Sequence, residues 1–577
     1  MRWNRHTPRD EVAHRYAEQF SISPLTAQIL LNRGVTSPEA MRRFLHPTLN
    51  QLNDSWLLRD MRPAVERIER ALRAGERVHV HGDYDVDGLS ATALLYLALS
   101  GLGADVHAIT VQRHDAAIGL SVESLRRDHL PQRPGLIITA DCGSTNLEAI
   151  GEAAGAGIDV IVVDHHQLGD RRPDCVALLN PHQEGCAFPF KSLAAVGVAY
   201  HLVHALQDHL RQQPDAWPVL PLAQYVDIVA LGTVADVVPL VDDNRIFVQE
   251  GLKTIRSARR PGICALMRSA RLLGDSRQSD WSDRINARTI GYRLAPLINA
   301  AGRMGDASRC VELLATDSYR VAVQIADDLV RINQERQACE REILREAMAM
   351  ADLQVEAGNQ VVVVAREAWH PGVLGIVASR LVERTNRPAI VAAIDCNGIA
   401  RGSIRSPHGI NMLDALDACR DLLETWGGHP VAAGLQLRSD RLEAFTVAVN
   451  DAVRRSLPDG TCPERCIDVD ATVAFDDLND DLLRQFECLA PFGVGNPEPV
   501  LEAVNVTPIQ TRVQGSTLRV RLRQGHLVAS AVGYGMSTRA VDFGRPVDVL
   551  FSPRTSPDPE RRRMDIYLRD ARVRGAT

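Results

Sequence analysis

The sequence predicts a mixed α/β protein: a parallel-sheet domain, a long connecting helix, a second α/β domain and a C-terminal OB-like β-barrel. Three observations predict it. Apolar strands alternate with helices between residues 77 and 166, the pattern of a parallel sheet covered on both faces. The stretch 318–354 keeps a helical period without Pro or Gly, as one long helix does. Beyond residue 458 the chain breaks into five short strands separated by Gly and Pro, which suits a small barrel.

Residues 1–75 read as an N-terminal helical segment. The first α/β domain spans 76–317. Its strands are RVHVHGD (77–83), GADVHAITV (103–111), LIITADCG (136–143) and IDVIVVDHH (158–166). Between them lie the helices LSATALLYLAL (89–99), SVESLRRDHL (121–130) and LEAIGEAAGAG (147–157), and the chain turns mostly helical from Leu193. The connecting helix takes 318–354. A second α/β domain, 355–457, contains QVVVVARE (360–367), GIVASRLVERT (375–385) and PAIVAAID (388–395). The barrel takes 458–577.

Composition narrows the class. The formal net charge is -7, with 65 basic and 72 acidic residues, which argues against a generic nucleic-acid coat. All but two of the basic residues, Lys191 and Lys253, are arginine, the better fork for phosphate. No apolar run is long enough for a transmembrane helix. The polar start, MRWNRHTPRDEVAHRY, predicts no signal peptide. Eleven cysteines, an odd count, fit reduced thiols and a cytoplasmic protein. Cys462 and Cys466 lack a second pair and are expected to be ordinary thiols.

The chemistry gathers at strand ends. HVHGDYDVDGLS (79–90) carries Asp83, Asp85 and Asp87 at alternate positions, and an extended segment would aim all three one way. Gly82 and Gly88 are expected to allow a tight turn there. An EF-hand is excluded, because Leu94 stands where the loop needs a glutamate and a strand precedes it. LIITADCGS adds Asp141, and IDVIVVDHH adds Asp164, His165 and His166. Open α/β sheets form their sites outside the carboxyl ends of strands. In YVDIVALGTVADVVPL (225–240) an apolar helix is expected to break at Gly232, leaving Asp236 among apolar neighbours, a costly place without a partner or a metal. One such strand end is often only a helix cap; three together point to a cation site. Many carboxylates with one imidazole suit Mn²⁺ or Mg²⁺, and there are enough of them for two ions.

HGDYDVDG, TADCG, VVDHH and GTVADVVPL resemble, in order, the four motifs of the DHH phosphoesterases. NPHQEGCAFPFKSLAAVGVAYHL (180–202), LAPLINAAGRMGDA (294–307), WHPGVLGIVASRL (369–381), ARGSIRS (400–406), GGHPVAAGL (427–435) and LAPFGVGNPEPVL (489–501) are similar to the RecJ exonucleases among them, across nearly the whole chain. The resemblance implies a DHH catalytic domain, a DHH-associated substrate-binding domain and a nucleic-acid-binding OB-fold. It implies a 5′→3′ exonuclease specific for single-stranded DNA, acting in repair and recombination with two divalent ions. Asp85, Asp87, Asp141, His165 and Asp236 would be metal ligands, with Asp141 between the ions; Asp83 and His81 would coordinate or orient. His166 would face the scissile phosphate, and Asp164 would fix an imidazole. Arg113, Arg303, Ser403, Arg405, Gly428 and His429 would hold substrate phosphates.

One departure from the family pattern is Ala117-Ile118-Gly119, where a Gly-Tyr-Gly is usual; it bears on Arg113 and on no metal ligand. In the barrel, Arg512, Arg519, Arg521 and Arg523 suit backbone tracking of a single strand, with aromatics only 5% of the chain. Two alternatives fit the sequence less well. Phosphodiesterases for nanoRNA, pAp or cyclic dinucleotides typically lack the terminal barrel, and an inactive scaffold would lose carboxylates that are all present. A single-strand binding protein and a RecQ-type helicase are the partners the resemblance implies, with a monomeric enzyme.

Overall fold

The computed structural model describes residues 1–111, 119–273, 285–457, 462–554 and 565–573. The chain forms two compact units. One comprises Trp3–Asn299, Ala307–Ala326 and Ile467–Thr577; the other comprises Met1–Arg2, Ala300–Asp306 and Asp327–Cys466.

The first unit contains the expected parallel sheet. Its strand order is Asp105–Thr110, Arg77–Gly82, Leu136–Ala140, Asp159–Val163, Ala177–Leu179, parallel throughout. Val80, Ile138 and Ile161 face a core shared with the helices Met61–Ala74, Val86–Gly101 and Ala195–Arg211, while Ile137, Val160 and Val162 face a second core. Both faces are therefore covered, which is why the strands read as nearly continuous apolar runs.

The barrel lies in the same unit. Strands Leu501–Gln514, Thr517–Gln524, Leu527–Gly533, Asp565–Val573 and Val547–Arg554 pair in that order, and the last closes onto the first through Leu501↔Phe551. The N-terminal segment proves to be divided. Tyr16, Leu30, Met41 and Phe44 join the barrel core with Val520, Leu522 and Phe551, whereas Met61, Val65 and Ile68 underlie the parallel sheet. Ser23 and Ser37 cap the helices Pro24–Asn32 and Pro38–Leu45, each with Pro in its first turn.

The second unit is built on a sheet ordered Thr425–His429, Ala432–Arg438, Ile399–Arg405, Ala389–Ile394, Val362–Glu367. Only the last pair is parallel. The connecting helix runs Tyr319–Glu356. Among the described residues, no helix is long and apolar enough to cross a membrane, and all eleven cysteines are free thiols.

Candidate active site

Register brings three strand ends level. Gly82 lies beside Ala140, and Ala140 beside Val163. The next residues continue the ladder by one step: the amides of Asp83, Asp141 and Asp164 donate to the carbonyls of Ala140, Val163 and Leu179 at 3.1, 2.9 and 3.0 Å. Asp141 does this at φ 65°, a conformation disfavoured for a residue with a Cβ and held by its surroundings at functional sites.

On this rim two groups of ligand-type atoms form, each with its atoms within 4.8 Å of one another. One is Asp83, Asp85 and Asp141; the other is Asp87, His165 and Asp236. Asp141 also groups with His165 and His166, so it stands where the two meet. His165 Nε2 lies 3.2 Å from Asp141 Oδ1, 3.6 Å from Asp236 Oδ2 and 3.9 Å from Asp87 Oδ2.

Three sequence expectations need correction here. The aspartates of HGDYDVDG do not all face one way. The strand stops at Gly82, Asp85 caps the next helix by accepting from the amides of Asp87 and Gly88, and Asp87 already lies in its first turn. The helical period then separates Asp87 from Asp83 and Asp85. Second, Gly82 and Gly88 serve close approach rather than a turn: a Cβ on Gly82 would stand 1.8 Å from Thr92 Oγ1, and one on Gly88 2.7 Å from the Asp83 carbonyl. Third, the helix Leu222–Ala235 does not break at Gly232; it runs through and ends with Asp236 as its C-terminal cap. A Cβ on Gly232 would stand 2.9 Å from both Asp87 Oδ1 and Val196 Cγ1, so the glycine lets the helix pass the carboxylate.

The electrostatics call for positive charge. Asp87 accepts from the amides of Ala195 and Val196 at 2.7 and 3.0 Å, the start of the helix Ala195–Arg211. Even so, burial and then repulsion from Asp85 push Asp83 and Asp87 up to about 7. Burial, with Asp87 and Asp85, pushes Asp236 up to about 9, and burial and its acidic neighbours raise Asp141 well above the carboxylate range. Asp83 Oδ1, Asp141 Oδ1, Asp236 Oδ2 and His165 Nε2 are buried without a hydrogen-bond partner among the described residues. The Leu193 backbone lies against the His165 ring and favours its proton, the kind of contact that orients a metal-ligating imidazole.

Asp164 belongs to neither of the two groups. Its Oδ1 accepts from the amides of His165 and His166 and from His166 Nδ1 at 2.7, 3.1 and 2.8 Å, and its Oδ2 accepts from the Ser144 amide at 3.0 Å. Burial opposes its ionisation, yet the bond to His166 holds the carboxyl well below the usual range. The same bond raises His166 to about 9, while burial and His166 push His165 down to about 4. Sequence reasoning missed Asn180, whose side chain donates to Ser144 Oγ and the His166 carbonyl, and it missed that His81 ends a buried chain of imidazoles with His79 and His129. In that chain His79 Nδ1 meets His129 Nδ1, and His129 Nε2 meets His81 Nδ1, each at 3.0 Å.

The phosphate-binding candidates lie in the other unit, except Arg113, which falls outside the described residues together with Ala117 and Ile118. Sheet register sets Arg405 beside Ala432 and Ala432 beside His429, so Arg405 and His429 share one row. Arg405 Nη1 donates to the Ile404 carbonyl at 2.7 Å and to Ser403 Oγ at 3.3 Å. The helix Leu374–Thr385 starts against both: a Cβ on Gly375 would stand 3.0 Å from Arg405 Nη2 and from Ser403 Oγ. Arg303 Nη1 donates to the Gly372 carbonyl in the turn before that helix. Gly428 has φ 133°, and a Cβ there would meet the Ala432 carbonyl at 2.7 Å. A guanidinium, a hydroxyl and a helix N-terminus within one unit make an anion cradle.

Comparison with known proteins agrees with this geometry. Residues 77–233 match the DHH family N-terminal domain, 358–455 the DHHA1 domain and 469–570 the RecJ OB domain. The single-stranded-DNA-specific exonuclease RecJ of Bacillus subtilis is 33% identical over 99% of this chain and 71% of its own length. RecJ of Escherichia coli is 35% identical over 85% of each. The crystal structure of RecJ from Thermus thermophilus in complex with Mn²⁺ matches with a TM-score of 0.83 at 31% identity, over 99% of this chain and 79% of that one. With its rim of carboxylates, its second α/β domain and its barrel all matched in order, this chain belongs to the RecJ family of single-stranded-DNA-specific exonucleases.

Proposed function

We propose that the chain hydrolyses single-stranded DNA from the 5′ end with two divalent cations, Mn²⁺ or Mg²⁺, in DNA repair and recombination. The four buried ligand atoms without partners, converging from strand ends and one helix end, carry this reading. Asp83, Asp85 and Asp141 would hold one cation and Asp87, His165 and Asp236 the other, with Asp141 between them. When bound, such cations neutralise the carboxylates, polarise a phosphodiester and make water a nucleophile near neutral pH. The chain's own groups position the substrate. His166, fixed at Nδ1 by Asp164 and half exposed, presents its ring to a phosphate oxygen. Arg405, Ser403 and the start of the helix Leu374–Thr385, with Arg303, Gly428 and His429, take phosphates at the 5′ end.

The barrel supports a single-stranded substrate. Arg512 pairs with Arg519, Arg519 with Val532, and Val532 with Tyr567, so two arginines and a tyrosine form one row across four strands. Tyr534, 60% exposed, lies against Tyr567 with ring centroids 5.4 Å apart. Cations followed by aromatic faces suit backbone and bases together. We further propose a monomeric, cytoplasmic enzyme working with a single-strand binding protein and a RecQ-type helicase.

The test is one digestion series: 5′-labelled and 3′-labelled single-stranded DNA, duplex DNA and short RNA, each with Mn²⁺, Mg²⁺ or EDTA. Release of the 5′ label first, from single strands only and not in EDTA, is expected; release of the 3′ label first would refute the polarity. Arg405→Ala should raise KM for 5′-phosphorylated DNA roughly tenfold more than for 5′-hydroxyl DNA, the value of a charge-assisted hydrogen bond. Equal loss on both ends would remove Arg405 from the end pocket.

The cations should also stabilise the fold, in a pH-dependent way. Asp83, Asp87 and Asp236 keep their protons in the folded protein up to about 7, 7 and 9, whereas the unfolded chain loses them near 3.8. Their contribution without metal is therefore full below pH 3.8 and is lost as pH rises to about 9. Mn²⁺ at about a hundredfold excess over Kd adds roughly 2.7 kcal/mol. The Mn²⁺-induced rise in Tm should be larger at pH 8.5 than at pH 6; equal shifts at both would contradict the site.

A further inference from the structure

An exposed tyrosine stands on a turn packed against the helix that ends at Asp236. Tyr292, in the wide helical turn Ile290–Leu294, is 75% exposed, more than any other large apolar side chain among the described residues. Its hydroxyl makes no hydrogen bond among those residues. One turn earlier Arg288, also exposed and without an acidic partner among them, sets its guanidinium 5.4 Å from the ring centroid. The turn packs on the helix that ends at Asp236: a Cβ on Gly291 would lie 3.7 Å from Val234 Cγ1, two residues before that carboxylate. Val237, immediately after it, is 65% exposed at φ 63°, a left-handed conformation that a β-branched residue strongly resists. An exposed ring with a guanidinium against it, on a turn packed against the helix that carries Asp236, is the feature that points to a ligand.

Resting on the single-stranded-DNA reading above, we infer that Tyr292, backed by Arg288, is a stacking platform for one nucleobase of the strand entering the carboxylate rim. An aromatic face takes any base, and a guanidinium beside it strengthens the stack and meets the adjoining phosphate. The carboxylate rim and its cations can act only on the phosphodiester, so a base beside it needs a separate partner. Tyr292 supplies that partner without reading sequence. It is a binding residue, so its loss should appear in Kd and KM and hardly in kcat.

The test uses the full-length protein and 5′-phosphorylated oligonucleotides, with Kd measured by fluorescence anisotropy in EDTA and KM and kcat in Mn²⁺. Tyr292→Ala should raise Kd and KM roughly tenfold, and Tyr292→Phe less than about twofold. Its Tm should stay that of wild type, because the ring is exposed. A single abasic residue is then walked through the first six positions. At one of them wild type should lose about as much affinity as Tyr292→Ala does, and the variant should lose nothing more. Wild-type affinity in Tyr292→Ala, an equal defect in Tyr292→Phe, or a variant that loses further affinity at every abasic position would each overturn the platform. A wild-type protein that neither binds nor cuts single-stranded DNA would overturn both this inference and the reading beneath it.

Discussion

Asp141→Ala should lower single-stranded DNA hydrolysis by at least about 10³-fold, beyond the roughly 10- to 100-fold typical of losing a group that merely supports a metal site. Asp141 is the carboxylate where the two ligand groups meet, within 3.2 Å of His165 Nε2 and 3.7 Å of His166 Nδ1. Its loss removes the oxygen shared by the group with Asp83 and Asp85 and the group with His165 and His166. Affinity for DNA, measured in EDTA, should change less than about threefold, since the proposed phosphate-binding residues and the barrel row are other residues. Calorimetric titration with Mn²⁺ should show lost or much weakened binding. The residue's left-handed backbone adds a control: Asp141→Asn keeps a side chain that tolerates φ 65°, so its Tm should match wild type while its activity falls. Turnover near wild type in either variant would sink the two-cation assignment.

Arg245→Met should destabilise the fold by about 3–5 kcal/mol, with the active-site carboxylates untouched. The guanidinium is buried yet meets no carboxylate among the described residues. Nε donates to the Phe44 carbonyl, Nη1 to Leu489 and Nη2 to Cys488, at 3.0, 3.0 and 3.1 Å, and it lies 3.7 Å from the centre of the Phe44 ring. Burial pulls its pKa down to about 9. It closes the C-terminal end of the helix Asp480–Cys488 and ties it to an N-terminal helix. Methionine preserves much of the volume but leaves buried carbonyls unpaired, which is the larger penalty. Urea unfolding followed by tryptophan fluorescence would measure it; a loss under about 1 kcal/mol would show that the carbonyls find other donors.

These two residues differ in how far the sequence announces them. Asp141 ends an apolar strand, two residues before Gly143, and its two partner strands also end in aspartate, so a sheet-edge site could be read directly. Arg245 lies in VDDNRIFVQEG among polar neighbours and reads as a solvated helix face. The resemblance implied a supporting role for Asp164, and its carboxylate accepts four hydrogen bonds, one of them from His166 Nδ1. The division of Asp83 and Asp85 from Asp87 was not legible. It depends on where the strand hands over to the helix, and helix starts are set by capping geometry as much as by pattern. Gly232 shows the same limit: a glycine in an apolar helix reads as a break, and only the helix packed across it reveals an approach to Asp87.

The sequence by itself determined the parallel sheet, the long helix, the barrel and the gathering of carboxylates and histidines at strand ends, because those follow from local periodicity and from residue type. The tertiary structure alone decided which carboxylates share a group, that the N-terminal helices complete the barrel core, that a buried arginine donates to the last carbonyls of the helix Asp480–Cys488, and that Tyr292 stands in solvent on a turn packed against the helix Leu222–Ala235. Each of these depends on contacts between segments far apart in the chain, and such contacts leave no period in the sequence to read.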